Sequence, residues 1–352
     1  MENANKVYKV IIIGAGPAGI STALNLLKCG VNNLLIVEKS RFPRYKCCAG
    51  YITEKTRAAY FKLGIDTKDC RYSLIKDFNV FYKGKKRLNV VNKFLYTNAD
   101  VDRVELDYNF YKKAKSSGVE ILENTTITSH SLIEKTLALS NGQVLSYENI
   151  VFADGTNGFG SRYQKNKKCN IALQLIFESD RAQAIDIHFG VTKRGYAWVS
   201  SFDRKTNVGM TDVYKKAKPY KQIFANFLKE QNLSADADKI TAAFTPIGTR
   251  KPIIARNAYF VGDAVGACDP LTLSGLRYSL LTGEYCAKAI AQNKPAIYKK
   301  CVRKLKTKFF FTSFMQKVFY LRGALFLTFN FLCRCFGKTV SRIFNNYFVN
   351  KK

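Results

Sequence analysis

The stretch VYKVIIIGAGPAGISTALNLLKCG, residues 7–30, decides the fold. A short β-branched apolar run is followed by a glycine-rich turn and then by an apolar helical pattern that ends at Gly30. The next run, NLLIVEKS, predicts a second buried strand that closes on Glu38. Together these elements predict a β-α-β unit of the kind that binds a dinucleotide.

The three glycines of GAGPAG have separate predicted roles. Gly14 allows the tight turn, and Gly16 lets a pyrophosphate approach the main chain at the helix N-terminus, where free N–H groups favour anions. Gly19 lets the helix pack closely on the sheet. Glu38 lies nineteen residues beyond Gly19, a spacing at which a carboxylate can accept a hydrogen bond from a ribose.

The composition is that of a globular protein with a strongly basic C-terminal end. The chain has 352 residues, 47% of them apolar, which is enough for one large or two ordinary domains. Its net charge is +31, and residues 285–352 contain fifteen Lys and Arg residues but no Asp or Glu. Such a surface attracts an anionic membrane or nucleic acid. Phenylalanines interspersed with the basic residues favour the membrane, and a merely solvated lysine-rich surface is the alternative.

The N-terminus has no secretory pattern, so we expect a cytoplasmic protein whose ten cysteines are reduced. His130 and His188 are far apart in sequence, which disfavours a histidine metal site, and we predict no metal. The longest uncharged run of the tail, Gly323 to Cys333, has eleven residues. This is short of the ~20 residues that span a bilayer, so we expect peripheral membrane association.

Two later motifs select the dinucleotide. Residues 153–155, ADG, and residues 262–264, GDA, each follow a predicted buried strand. With GAGPAG they form an ordered set that resembles the FAD-dependent oxidoreductases of the p-hydroxybenzoate hydroxylase superfamily. The resemblance implies that Asp263 contacts the ribitol and diphosphate of FAD, and that the segment after it passes under the isoalloxazine. The residues predicted to bind FAD are Gly14, Gly16, Pro17, Ala18, Gly19, Glu38, Lys39, Arg103, Asp154, Gly262, Asp263, Pro270, Ser274, Gly275 and Leu276.

One branch of that superfamily fits better than the others. Residues 46–50, KCCAG, and residues 195–199, GYAWV, resemble two elements of the geranylgeranyl reductase family. The resemblance implies that Cys48 lies beside the flavin, shaping the pocket or delivering a proton, and that Tyr196 and Trp198 line the substrate pocket. The alternative is an inert buried cysteine and two core aromatics. The chain departs from the family where alanine replaces a glycine after Cys48 and where two serines replace Phe-Pro after Val199.

The fold class that follows is α/β: a Rossmann-like FAD-binding domain with an interleaved antiparallel-sheet substrate domain and a helical C-terminal segment. We predict the FAD-binding domain at residues 1–75, 100–165 and 250–293, the substrate sheet at 76–99 and 166–249, and a basic, Phe-rich helical region at 294–352. Within these limits, residues 101–118 predict a helix, residues 119–129 a strand, and the following segment a hairpin that turns at Asn141-Gly142.

The predicted function is FAD-dependent reduction of C=C bonds in a geranylgeranyl-type lipid or quinone side chain at a membrane surface, with NADPH or ferredoxin as electron donor. One alternative is a flavin-dependent monooxygenase of the same superfamily. The other is a membrane- or nucleic-acid-docking flavoprotein without this catalysis. Nucleic acid is disfavoured because no helix-turn-helix, zinc or RNA-binding signature is present.

Overall fold

The computed structural model describes residues 7–321, apart from residues 92, 94, 99, 166, 234 and 235. The predicted uncharged run from Gly323 to Cys333 lies outside the described residues. The α-helices are α1 (Pro17–Lys28), α2 (Glu54–Phe61), α3 (Val104–Ser116), α4 (Tyr220–Glu230), α5 (Leu276–Ala291) and α6 (Pro295–Leu321). The strands are β1 (Val7–Ile13), β2 (Leu34–Val37), β3 (Ile52–Thr53), β4 (Ser73–Leu74), β5 (Asp77–Tyr82), β6 (Lys85–Val91), β7 (Leu95–Thr97), β8 (Glu120–Leu122), β9 (Ile127–Ser131), β10 (Thr136–Leu139), β11 (Val144–Phe152), β12 (Cys169–Glu178), β13 (Ala184–Phe189), β14 (Tyr196–Phe202), β15 (Lys205–Val213), β16 (Thr241–Pro246), β17 (Ile254–Ala255) and β18 (Ala258–Phe260).

The first sheet contains the glycine-rich loop. Its strand order is β17-β18-β11-β1-β2-β8, and β10 and β9 extend it from β11. β1 lies between β11 and β2 and runs parallel to both. Val10, Ile11 and Ile12 are fully buried because helices cover both faces of a parallel sheet of this type. The predicted β-α-β unit is therefore present, and α1 packs against α5.

The second sheet is the larger antiparallel element. Its order is β16-β12-β15-β14-β13-β5-β6, and only β13 and β5 run parallel to each other. One face is covered by α4, whose Phe224 and Phe227 pack against Leu173 and Val208. The chain enters this sheet between α2 and α3 and again after β11. The predicted fold class is confirmed, whereas the exact domain limits stay a prediction.

The prediction of a single strand over residues 119–129 is wrong in detail. It forms two short strands, β8 and β9, which are separated at residues 123–126. Asn124 takes a left-handed conformation with φ +52°, and the Thr125 N–H donates to the Glu38 carbonyl at 3.0 Å. The main chain therefore leaves the strand direction to fix the end of β2. The hairpin turn at Asn141-Gly142 joins β10 and β11 as predicted.

The last described element is the 27-residue helix α6. Tyr298, Leu305 and Phe309 bury one side of it against the protein. Phe310 and Phe314, in contrast, are 71% and 61% exposed. None of the helices in the described part of the chain combines the length and the apolar character needed to cross a bilayer.

Candidate active site

The glycine-rich loop leaves open space at one glycine and none at the other two. Gly14 has φ +100°, and a Cβ there would lie 2.7 Å from the carbonyl oxygen of Ala153. A Cβ on Gly19 would lie 1.9 Å from the carbonyl oxygen of Gly14. At Gly16 the nearest atom would be a guanidinium nitrogen of Arg44, 3.8 Å away. The loop thus offers a free main-chain surface at the start of α1, beside a cation.

Three cations surround this surface. Arg103 donates to Asp107 at 2.8 Å, and Arg44 lies 3.8 Å from the same carboxylate. The Nε atoms of Arg44 and Arg103 are buried and donate no hydrogen bond within the described residues. Burial and the nearby Arg103 lower the pKa of Lys46. The Arg44 guanidinium beside Gly16, with Arg103 next to it, fits the diphosphate of FAD, which would supply the missing acceptors.

Arg44 and Lys46 were missed by the sequence analysis. The signal was present in PRYK, residues 43–46, which places two basic residues shortly after β2. Their proximity to the glycine loop depends on the path of the chain after Glu38, which sequence spacing does not fix. Both residues now join the candidates for holding FAD.

Glu38 makes direct hydrogen bonds to the main chain of the glycine-rich loop, which the sequence did not predict. Its carboxylate accepts hydrogen bonds from the Ala15 N–H at 2.7 Å and the Ser40 N–H at 3.0 Å, and it lies 3.7 Å from Arg44. These bonds fix the loop against the end of β2. The role of Glu38 at a ribose stays a prediction, as does that of the exposed Lys39 beside it.

Asp154 supports the glycine loop from behind. Its carboxylate accepts the Gly160 N–H at 2.8 Å, and a Cβ on Gly14 would lie 3.2 Å from the Asp154 Cα. Burial raises the pKa of Asp154 to about 6. The side chain therefore shapes the turn that follows β11, and it is not among the residues that line the cavity described next.

The GDA motif approaches the same loop from the other side. Gly262 has φ +61°, and a Cβ there would lie 2.7 Å from the Cβ of Ala18. The Gly262 N–H donates to the Thr282 hydroxyl at 2.9 Å, which fixes the turn to α5. Asp263 and the residues Ser274, Gly275 and Leu276 line a large cavity, together with Pro17 and Arg103. Pro270, which was predicted with them, is not a lining residue.

That cavity has a volume of about 770 Å³, within the usual range for a small-molecule site. Its walls come from the glycine loop, the antiparallel sheet and α6, and they are mainly apolar. The apolar and aromatic side chains on these walls are Phe78, Leu95, Ile187, Phe189, Tyr196, Trp198, Phe244, Leu271, Leu273 and Phe311. The cavity therefore connects the predicted flavin region with the surface helix.

The three residues predicted for the substrate side all line this cavity. Tyr196 and Trp198 point from one face of β14, with ring centroids 6.2 Å apart. The Tyr196 hydroxyl donates to the Thr272 carbonyl at 2.9 Å, and the Trp198 indole donates to the Asn207 side chain at 2.8 Å. Burial raises the pKa of Tyr196 well above its usual range, so this hydroxyl stays protonated. Cys48 lines the cavity close to the Arg103 side.

Cys47 has a different environment from Cys48. Its thiol donates to the Gln174 side chain at 3.4 Å, and Gln174 in turn donates to the Tyr45 hydroxyl at 2.9 Å. Burial raises the pKa of Cys47 to about 11, so it stays a thiol at neutral pH. Gln174 also lines the cavity, and no sequence motif contains it. All the cysteines within residues 7–321 are free.

Comparisons with known proteins assign the family. Residues 8–184, which are 177 of the 352 residues, match the pyridine nucleotide-disulphide oxidoreductase family. The chain belongs to this family. It is an FAD-dependent oxidoreductase, so the predicted enzyme class and cofactor are confirmed.

Named relatives extend over most of the chain at modest identity. The digeranylgeranylglycerophospholipid reductase of Methanocaldococcus jannaschii is 25% identical, covering 83% of this chain and 80% of the relative. The menaquinone reductase of Mycolicibacterium smegmatis is 24% identical, covering 79% and 75%. The solved structure of the flavin-dependent brominase Bmp2 is similar in fold, with a TM-score of 0.76, 19% identity and coverage of 97% and 94%. The predicted resemblance to geranylgeranyl reductases is confirmed.

Proposed function

We propose that this protein reduces C=C bonds in the prenyl chain of a membrane lipid or quinone. The observation that carries the proposal is the apolar cavity, which extends from Asp263 and Gly275 to Phe311 on α6. A flexible hydrocarbon chain is the ligand that a mainly apolar cavity suits best. The names of the two relatives, a phospholipid reductase and a menaquinone reductase, point to substrates of the same kind.

When bound, FAD supplies the hydride for such a reduction. The apolar side chains on β5, β7 and β13 hold the alkene and exclude water from it. A proton must also reach the second carbon. Cys48 and Tyr196 are the candidate proton donors, because both line the cavity. The Tyr196 hydroxyl stays protonated, because burial raises its pKa. Bound water is the third candidate.

Helix α6 would bring the cavity to a membrane. Phe311 lines the cavity and is also 64% exposed, so the cavity opens at this helix. Phe310 and Phe314 flank that opening, and no acidic residue follows Glu284. Exposed aromatic rings among basic residues suit the surface of an anionic leaflet, where a prenyl lipid is present. We propose NADPH or ferredoxin as the external donor.

The test is an anaerobic one with the FAD-loaded full-length protein. The flavin is reduced chemically, a geranylgeranyl lipid is added, and flavin absorbance and lipid mass are followed together. We expect reoxidation of the flavin and a gain of two mass units per bond reduced. NADPH and reduced ferredoxin then replace the chemical reductant in separate reactions.

The matched variants are Cys48→Ala and Cys29→Ala. Cys48 lines the cavity, whereas Cys29 is an exposed cysteine at the end of α1. If Cys48 delivers the proton, its loss slows reduction by about 10²-fold or more while Cys29→Ala has no effect. A flavin that stays reduced with every prenyl lipid and reoxidises only in air contradicts the proposal and favours the monooxygenase alternative.

A further inference from the structure

One buried side chain of the antiparallel sheet joins two sides of the cavity from behind. Asn207 lies on β15 and is fully buried, and its amide oxygen accepts the indole N–H of Trp198 at 2.8 Å. The NH2 group of the same amide donates to the Val101 carbonyl at 2.7 Å and to the Cys48 carbonyl at 3.4 Å. Asn207 therefore links a cavity-lining ring of the sheet to two main-chain segments on the flavin side.

The sheet geometry directs Trp198 toward Asn207. Trp198 is paired with Gly209, which lies two residues after Asn207 and so on the same face of β15. A Cβ on Gly209 would lie 2.2 Å from the Trp198 ring, so glycine leaves the room that the indole needs. The ring extends across Gly209, and its N–H thereby reaches the amide oxygen of Asn207.

The main chain that Asn207 holds is strained. Val101 has φ +47°, a left-handed conformation that a β-branched residue rarely takes. Its N–H donates to the Asn98 carbonyl at 3.0 Å, which closes a turn, and its carbonyl accepts from Asn207. Arg103, two residues further on, lines the cavity. The Asn207 amide thus fixes the turn from which Arg103 reaches the cavity.

The segment after Cys48 packs on the same turn. Gly50 has φ +77°, and a Cβ there would lie 2.9 Å from the carbonyl oxygens of Val101 and Asp102. The two segments are therefore in close main-chain contact, and each gives one carbonyl to the Asn207 amide. A displacement of one segment would move the other as well.

We propose that Asn207 is a positioning residue of the flavin site, which holds Arg103 and Cys48 in the arrangement that binds FAD. Asn207 does not line the cavity, so it acts through these two residues. The buried Nε of Arg103 has no acceptor among the residues that the structure describes, and a cation fixed in advance binds an anionic cofactor more tightly. Without Asn207, two buried carbonyls lose their donor and the strained turn relaxes. The inference does not rest on the substrate proposed above.

FAD binding to the folded apoprotein is measured by equilibrium dialysis, and unfolding of the same apoprotein by chemical denaturation. Asn207→Leu removes all three hydrogen bonds at nearly constant size, and Asn207→Ser is a smaller replacement that lets water pair the freed groups. Trp198→Phe removes only the indole donor. The matched control is Lys205→Gln, because Lys205 lies on the same strand and forms a partly exposed ion pair with Asp100 at 2.6 Å.

We expect both Asn207 variants to bind FAD roughly tenfold more weakly or worse, and Lys205→Gln to stay within about twofold of wild type. At saturating FAD, the visible circular dichroism of the bound flavin should also weaken in the Asn207 variants, because the ring is held less firmly. Lower stability of the apoprotein with unchanged FAD affinity and flavin dichroism would show a purely structural role and overturn the proposal. An equal loss of FAD affinity in Trp198→Phe would assign the effect to the indole and overturn it too.

Hydrogen exchange of the wild-type apoprotein tests the proposal without any variant. The Val101 and Asp102 amides donate to the carbonyl and the side chain of Asn98, each at 3.0 Å. If Asn207 holds this turn, both amides are protected before FAD is added. Protection that develops only after FAD is added would show that the cofactor, rather than Asn207, fixes the turn, and the proposal would fail even if neither Asn207 variant folds.

Discussion

At the nucleotide end of the molecule, the site is formed by residues that are consecutive in the chain and are fixed by main-chain contacts. The Gly14 N–H donates to the Val37 carbonyl, and the neighbouring Ala15 N–H donates to Glu38. At the α6 end, the cavity is assembled from side chains between Pro17 and Thr312, which no short motif unites. In the first region Gly14 and Gly19 leave no room for an added Cβ, whereas the second region is a space of about 770 Å³. Substitutions should therefore act on folding and cofactor binding at one end and on substrate size at the other.

The largest expected effect is that of Gly19→Ala. A Cβ at this position would lie 1.9 Å from the Gly14 carbonyl oxygen, which belongs to the main chain and has no room to move without opening the loop. We expect a loss of about 4 kcal/mol or more in the free energy of unfolding, together with loss of FAD. Chemical denaturation and flavin absorbance per protein measure the two effects.

Gly16→Ala is the matched control for that variant. Gly16 has an ordinary φ of −73°, and an added Cβ meets only the Arg44 guanidinium at 3.8 Å. We expect the apoprotein to fold with nearly unchanged stability but to bind FAD roughly tenfold to 100-fold more weakly, since the methyl group occupies the space beside a phosphate. Retention of FAD by Gly19→Ala, or equal FAD binding by Gly16→Ala and wild type, would contradict the assignment of this loop.

The next largest effect is expected from filling the cavity. Ala172→Phe adds a ring on the cavity side of β12, while Ala182→Phe adds the same ring at an exposed position after that strand. We expect Ala172→Phe to lower turnover of a geranylgeranyl lipid by about tenfold or more, with FAD content unchanged. Ala182→Phe should behave as wild type. Equal turnover of the two variants would show that the prenyl chain binds elsewhere.

The same difference between the two ends explains what the sequence could predict. The strand, the glycine loop, α1 and Glu38 are recognisable because their spacing follows from one local β-α-β geometry. Gln174 and Asn207 are not recognisable, because a single glutamine or asparagine on a strand acquires meaning only when distant segments meet. Cys48, Tyr196 and Trp198 were selected by resemblance, and their position on one cavity is a structural observation that their spacing alone does not give.

An effect that depends on pH is expected from Asp154, which lies behind the loop. Burial raises its pKa from 3.8 to about 6, so the folded protein holds a proton there that the unfolded chain releases between those values. Stability contributed by this protonation is present below pH 4 and is lost as the pH rises to about 6, at a cost of about 3 kcal/mol. The Asp154→Asn variant has no titrating carboxyl at this position. We therefore expect its free energy of unfolding, relative to that of the wild type, to rise by up to about 3 kcal/mol between pH 4 and pH 7.

Denaturation midpoints of the FAD-loaded proteins at several pH values measure this difference. The control is Asp203→Asn, because Asp203 is an exposed aspartate whose replacement removes no buried charge. Its stability relative to wild type should stay constant across the range. A relative stability of Asp154→Asn that falls toward pH 7 would show instead that the folded loop favours the charged carboxylate.

The smallest expected effect lies at the cavity opening and concerns the membrane. Phe310 and Phe314 are 71% and 61% exposed, so replacing both with serine should change the free energy of unfolding by no more than about 0.5 kcal/mol. If these rings enter a leaflet, the double variant partitions into anionic vesicles about tenfold more weakly, because less apolar area is buried. Ile133→Ser, which removes a side chain that is 73% exposed on the β9–β10 turn, should leave vesicle sedimentation unchanged. Equal sedimentation of the double variant and the wild type would show that Phe310 and Phe314 do not contact the membrane. Any binding to anionic lipid would then come from the basic residues alone.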